Sequence, residues 1–311
     1  MNLVYASTDT TTKQLKQLGY TDHIIKYLDE EEKAEIIENK YVFEGESVNH
    51  KLLINDVKEY NNGNKIIESY AIDIDEVEKS ELDILNKTLF KNKTYKETFL
   101  KKKLNKVKLS EEVKPQVYYL NSNDEKVDAS YVINSTSYAE NYIEDCVLST
   151  GVYAYDKSTS TKCIKRLGFN FQWEGIPAWA LEDLIAISHT GGNLGLTDIE
   201  SYGGTYTYFD VNNNSYNLPI SIEPESYGIT GEFDLRMSYS GYGEMYLDIS
   251  NNKSAVNQDA YFYMCGQYGH VSGALGASVS VGVDGAISFT PTIISKVTKT
   301  TKLMYNRIKT Y

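Results

Sequence analysis

At 311 residues, with 41% hydrophobic and 24% charged side chains, the chain has the composition of a folded protein, and its length suits two domains of ordinary size. A formal net charge of −12 argues against nucleic acid as the main partner, because phosphate binding needs a basic face. No run of about 18 apolar residues is present, so the sequence predicts no membrane-spanning helix.

The charge is unevenly placed. Residues 167–295 contain 14 Asp and Glu against only Arg236 and Lys253, while the remaining residues balance to zero. That stretch also holds both Trp and 17 of the 21 Gly, so a Lys/Glu-rich front precedes an acidic, Tyr/Gly/Ser/Asn-rich back of β character. Abundant Lys, Asn, Ile and Tyr with scarce Arg is a profile that AT-rich coding alone produces. Tyr nevertheless outnumbers Phe by 27 to 9, a preference for rings that bury their faces while the hydroxyl stays solvated.

Val4-Tyr5-Ala6 before Ser7 has the small-residue pattern that precedes signal-peptide cleavage, with Met1-Asn2-Leu3 as the remnant of an apolar segment. Export, to the medium or the cell surface, is the expectation. Residues 8–40 predict three short helices. The first runs through Leu15 and Leu18 to a stop at Gly19; Thr21 caps the second, and Asp29 with Glu32 makes a capping-box-like start for the third. The Leu18-Gly19-Tyr20 turn resembles the ubiquitin-associated helical module, and the segment is similar to the helical leaders of some exported proteins from low-GC Gram-positive bacteria. Both resemblances are confined to residues 8–40.

Residues 41–73 predict a hairpin turning at Asn61-Asn62-Gly63-Asn64. A helical pattern follows from about Asp75 to Lys108. Between Lys87 and Lys108 nine Lys face only Glu97, which fits a solvated helix face or a docking segment for an anionic surface: a lipid headgroup, a wall polymer or the chain's own acidic half. Glu111 to Pro115 reads as a linker. The predicted fold is therefore α+β, with a small helical, Lys/Glu-rich N-terminal region over residues 1–115. A mostly antiparallel, sandwich-like all-β domain follows over residues 116–311.

Within the β half, Phe233–Ile249 reads as a hairpin turning at Ser240-Gly241-Tyr242, with Met237 opposite Met245. That register sets Asp234 opposite Asp248, a like-charge pair that either Arg236 or a bound cation would offset. Asp210-Val211-Asn212-Asn213-Asn214-Ser215 matches the first half of a calcium loop, with Asp210, Asn212 and Asn214 as oxygen ligands; Ser215 stands where such a loop needs Gly. Calcium is the one cofactor the sequence suggests.

A second hairpin turns at Val283-Asp284-Gly285, aligning Val281 with Ile287 and Val279 with Phe289. From Val271 to Ser295 the only charge is Asp284, so arms of about 10 residues with one apolar face fit either a sandwich core or a membrane-inserting hairpin. Trp173 and Trp179 bracket a turn, and Tyr206 and Tyr208 share one face of a strand. Exposed, these four rings form a candidate ligand-binding platform of the kind that stacks on sugars. Ser188-His189-Thr190-Gly191-Gly192-Asn193 reads as a loop with one imidazole.

Cys146, Cys163 and Cys265 fit one disulfide with a leftover thiol, or three buried thiols. In a hairpin turning near Ser158–Thr161, Cys163 lies opposite about Asp156. No zinc pattern, nucleophile elbow or identifiable acid–base pair is present, so the reading leans away from an enzyme. It is an exported, non-enzymatic binding protein acting at a cell surface or on a polymer, with a polysaccharide or surface ligand as partner. The alternative is a membrane-acting, pore-forming toxin or bacteriocin that inserts residues 271–295.

Overall fold

The computed structural model describes residues 3–87, 93–110, 113, 115–123, 127–133, 138–175, 182–190, 195–210, 212–235, 240–256, 262–272, 278–281, 287–290 and 296–306. Three helices open the chain: α1 (Leu3–Gln17), α2 (Asp22–Ile25) and α3 (Glu30–Asn39). α1 begins ahead of the expected residue 8, but its stop and the starts of α2 and α3 follow the capping chemistry read from the sequence. Gly19 adopts φ 94°, Thr21 accepts from the Ile24 amide, and Asp29 accepts from the Glu32 amide at 2.7 Å. The residues read as a cleavage pattern, 4–7, lie within α1.

Next come β1 (Val42–Tyr60), β2 (Lys65–Ile74), α4 (Glu76–Lys87) and α5 (Lys93–Ser110), then β3 (Gln116–Leu120) and the short α6 (Ala129–Ile133). The β1–β2 turn is the predicted one, with Gly63 at φ 81° donating to Tyr60. The remaining strands are β4 (Tyr138–Asp156), β5 (Lys162–Glu174), β6 (Glu182–His189), β7 (Asp198–Phe209), β8 (Ser215–Pro219), β9 (Ser221–Glu225), β10 (Gly228–Asp234) and β11 (Ser240–Asn252). β12 (Phe262–Ser272), β13 (Ser278–Val281), β14 (Ile287–Thr290) and β15 (Lys296–Asn306) complete the chain.

Eight strands form one sheet, in the order β3-β2-β1-β4-β5-β11-β7-β8, and five form the other, β15-β12-β6-β10-β9. The fold is thus mostly antiparallel sheet, with a short helical N-terminal region and two sheets packed as a sandwich. Residues 111–115 do not interrupt the larger sheet. β1, before them, is paired along nearly its whole length with β4, after them, and β2 is paired with β3.

The alternation of each strand explains the layers. Leu167, Phe169, Phe171 and Trp173 of β5 and Met245, Leu247 and Ile249 of β11 point into the sandwich, where they meet Ile185, Ile187, Ile229, Phe233 and Tyr268. The opposite face of the large sheet carries the helices. α4 and α5 bury Leu82, Leu100 and Leu104 on Leu52, Ile54, Tyr70 and Val147, and the first three helices bury Leu15, Ile24 and Ile36 near Tyr153 and Tyr155.

Four local readings are corrected. Phe233 and Met245 do share an interior, but across the sandwich and not across a hairpin: β10 pairs with β6 and β9, whereas β11 pairs with β5 and β7. Asp234 therefore faces Glu182, and Asp248 faces Arg166 and Ser201. An apolar alternation specifies a face, not which sheet supplies it. Ser240, Gly241 and Tyr242 are strand, not turn, and Ser188 and His189 are buried in β6, not in a loop. Asp156 faces Lys165, two positions beyond the expected Cys163, because the β4–β5 turn lies one residue further along the chain and closes with Thr159 donating to Lys162. All three cysteines are buried free thiols.

Candidate functional site

Three of the four rings expected to form a ligand platform, Trp173, Tyr206 and Tyr208, belong to one aromatic chain that starts in the core and ends at a sheet edge. Trp173 is 1% exposed, and its Nε1 donates to the Tyr268 hydroxyl at 2.8 Å. That hydroxyl donates in turn to the buried Asp183 carboxylate, which also receives His270 Nδ1 at 2.9 Å. The Tyr268 ring lies 5.0 Å from Phe171, edge to face, and Phe171 stacks on Tyr206 at 6.0 Å. Gly243 of β11 stands in register between those two rings, and a Cβ there would overlap the Phe171 ring. A glycine is what lets the stack cross the strand.

From Tyr206 the stack runs outward. Tyr208 lies 6.1 Å away, and Tyr216, its partner across β7 and β8, lies 5.1 Å beyond with the two rings 18° from parallel. Tyr206 is fully buried, Tyr208 is half-buried and Tyr216 is 44% exposed. Of the four rings, then, Trp173 and Tyr206 are core and Tyr208 reaches the surface; Trp179 lies outside the described residues. Tyr216 is the residue the sequence reading missed. Its signal was available: a hairpin turning on the Asn-rich run at 212–214 sets Tyr216 opposite Tyr208.

On the opposite face of the same strands, Phe209 and Tyr242 approach to 6.1 Å, and Tyr242 and Tyr27, just after α2, to 6.3 Å. The Gln172 amide oxygen accepts from Tyr27 at 3.2 Å and from Lys26 at 3.1 Å, and Thr207 donates to Asn217 at 2.8 Å. The β7–β8 edge thus carries aromatic rings on both faces, with amides beside them.

The calcium reading fits the observed geometry poorly. Asp210 accepts from the Asn212 and Asn214 amides, from the Asn214 side chain and from Tyr216, so its carboxylate is turned back onto its own loop. Those hydrogen bonds, led by the Asn214 side chain, hold it below the usual carboxylate range, and the nearby charge raises Tyr216. Asp234 and Asp248 lie in different sheets, and both oxygens of Asp248 accept from Arg166. Among the described residues no group of three His, Cys, Asp or Glu is arranged to hold a metal ion.

The basic helix α5 finds partners within the chain. Lys96 pairs with Asp145 at 2.8 Å, Lys103 with Glu78, and Lys108 with Asp56 at 2.6 Å. These acids precede the acidic stretch, so the internal partner is the sheet and helix beneath α5.

The hairpin of β13 and β14 has the predicted register, Val281 with Ile287 and Val279 with Phe289. Its apolar side rests on the outer face of the smaller sheet, where Ile287 is buried with Leu184, Ala186 and Cys265. The described arms are four residues each, against the roughly 9–11 of a membrane-crossing strand; the tip at 282–286 lies outside the described residues. No described helix is long and apolar enough to cross a membrane.

No protein-family model matches the chain, and no curated protein matches it. Among solved structures, the collagen binding subdomain of the Enterococcus faecalis surface protein ACE is 7% identical, with 50% of this chain and 96% of that one covered and a TM-score of 0.26. The group B streptococcus pilus 2b backbone protein is 6% identical, covering 49% and 79%, with a TM-score of 0.24. A structure on pH-induced modulation of Streptococcus parasanguinis adhesion by Fap1 fimbriae is 10% identical, covering 51% and 80%, also at 0.24. At such scores the likenesses are too slight to argue from.

Proposed function

We propose that the chain is an exported, non-enzymatic binding protein that acts at a cell surface or on a polymer, and that the Tyr208–Tyr216 strip is its contact surface. The observation that supports this reading is the stack itself. Two parallel rings, one of them 44% exposed, are held on a rigid strand pair by a continuous aromatic chain behind them. Rings fixed in this way stack on apolar sugar faces with little loss of side-chain entropy, and the exposed amides of the Asn212–Asn214 turn can bond hydroxyls. The strip suits a neutral, hydroxyl-rich chain better than an anionic one, because Asp210 adds negative charge beside it.

Sedimentation of the protein with purified Gram-positive cell wall, and separately with insoluble chitin and cellulose, tests the reading. Wild type should partition with at least one of these polymers, and Tyr216→Ala should lose at least about tenfold in affinity. Equal retention of wild type and Tyr216→Ala, or release of soluble sugars by the protein, would sink it.

A further inference from the structure

The two large sheets have four outer edges, β3, β8, β9 and β15. On β3 the Tyr119 carbonyl accepts from the Val127 amide at 2.9 Å. β9 carries Glu223, Pro224 and Glu225, and β15 carries Lys296, Lys299 and Lys302, the charges and prolines that normally keep strand edges from pairing. β8 reads Ser-Tyr-Asn-Leu-Pro, without a charge, and no other described strand is paired to its outer side.

The hydrogen-bond parity of β8 is settled by its flanks. Ile220 donates to the Gly204 carbonyl and Asp210 to the Asn214 carbonyl, so the even-numbered residues bond toward β7. Ser215, Asn217 and Pro219 turn their backbone groups away from β7, and Pro219 has no amide to leave unpaired there.

We propose that β8 is the seam of a symmetric homodimer, two copies pairing antiparallel about Asn217 so that their eight-stranded sheets join into one. On the two-fold axis each Asn217 exchanges both backbone bonds with its copy, and each Ser215 amide reaches the other copy's Pro219 carbonyl. Tyr216 then lies opposite the copy's Leu218, an aromatic–aliphatic pair of the kind that stabilises sheets. The strand is therefore its own complement, which a foreign peptide is not required to be. Two chains of net charge −12 meet here at an uncharged edge. Each copy carries a net charge of −12, so salt screens their repulsion and strengthens the dimer. The seam stands whether or not the tyrosine strip binds a polymer. If both hold, the two strips become one continuous surface.

Sedimentation velocity over a range of protein concentrations, at low and high salt, tests the seam together with three variants. Wild type should dimerise with rising concentration and more tightly in salt. Asn217→Pro, which removes the outward amide together with the acceptor of the Thr207 hydroxyl, should weaken the dimer at least about tenfold, and Asn217→Ala, which removes that acceptor alone, should not. Asn217→Cys should oxidise to a disulfide-linked dimer faster than the exposed control Asn252→Cys, since paired residues at this kind of position lie about 5.5 Å apart. A chain that stays monomeric at high salt overturns the proposal, as does a dimer indifferent to Asn217→Pro or cross-linking no faster at 217 than at 252.

Discussion

Arg166 and Asp248 face each other in register across β5 and β11 and share two hydrogen bonds, Nε to Oδ1 at 2.7 Å and Nη2 to Oδ2 at 2.8 Å. Both side chains are nearly fully buried, and Nη1 of the same guanidinium reaches Glu32 of α3 at 2.8 Å. Burial works to raise the Asp248 carboxyl, and Arg166 more than reverses that, so it sits below its ordinary range. Removing one partner strands the other charge. Arg166→Ala should cost about 3–5 kcal/mol by urea unfolding, and the double change Arg166→Met with Asp248→Leu clearly less. Near-equal losses would show that the pair is not the unit that matters. Because the folded carboxyl is depressed, its contribution is present above the usual Asp range and is lost as pH falls below it.

Acid should also act through histidine. Burial lowers His189 to about 4, and burial with the neighbouring Lys26 lowers His23 to about 4 as well. The unfolded chain takes up these protons below about 6.5 while the folded chain refuses them, so stability is full above that pH and falls between it and about 4. His189 alone is worth about 3 kcal/mol across that window. Glu44 opposes this. Burial pushes its carboxyl up to about 7 despite Lys165 at 2.6 Å, so its contribution is present below the ordinary Glu range and lost as pH rises toward 7. Urea midpoints measured from pH 4 to 7 should therefore show a steeper acid limb in Glu44→Gln and a shallower one in His189→Gln.

Tyr268 serves two partners at once. Tyr268→Phe keeps the ring and removes the hydroxyl that accepts from Trp173 and donates to Asp183, leaving a buried indole N–H without its acceptor. A loss of about 1–3 kcal/mol in thermal or urea unfolding is expected. A change within experimental error would mean that the network is incidental.

Gly168 lies in register with Tyr153 on β4, and a Cβ at 168 would overlap the Tyr153 ring. Tyr153 cannot yield, being fully buried, stacked 6.3 Å from Tyr155 and hydrogen-bonded to Glu244. Gly168→Ala should destabilise the fold by about 1–3 kcal/mol, and Gly168→Ala with Tyr153→Phe should not restore it, since the clash is with the ring. Calorimetry on both variants decides this.

The sequence is a good guide where chemistry is local. Thr21, Asp29, Gly19 and the Asn-Asn-Gly-Asn turn act through neighbours a few residues away, and the Val281–Ile287 register follows from alternation and a short loop. It is a poor guide where two distant segments can satisfy the same pattern. Phe233 and Met245 share one interior as predicted, yet from opposite sheets, and with that the Asp234–Asp248 pair dissolves. Trp173 and Tyr208 could not be sorted into core and surface, because alternation marks a face and not how far that face is covered. The platform was half legible: Tyr208 from its strand, Tyr216 only once the turn beside it is treated as a hairpin.

The pairing of β1 with β4 has a consequence for the order in which the chain folds. The partners are separated by the whole of α4, α5 and β3, so the centre of the larger sheet closes only after residue 156 is available. Until then β1 offers an unpaired edge nearly nineteen residues long. Closing so distant a contact is slow relative to forming the capped helices ahead of it. For a nascent chain the interval between Tyr60 and Asp156 is therefore the aggregation-prone one, and the early helices are ready to shelter the sheet before the sheet exists.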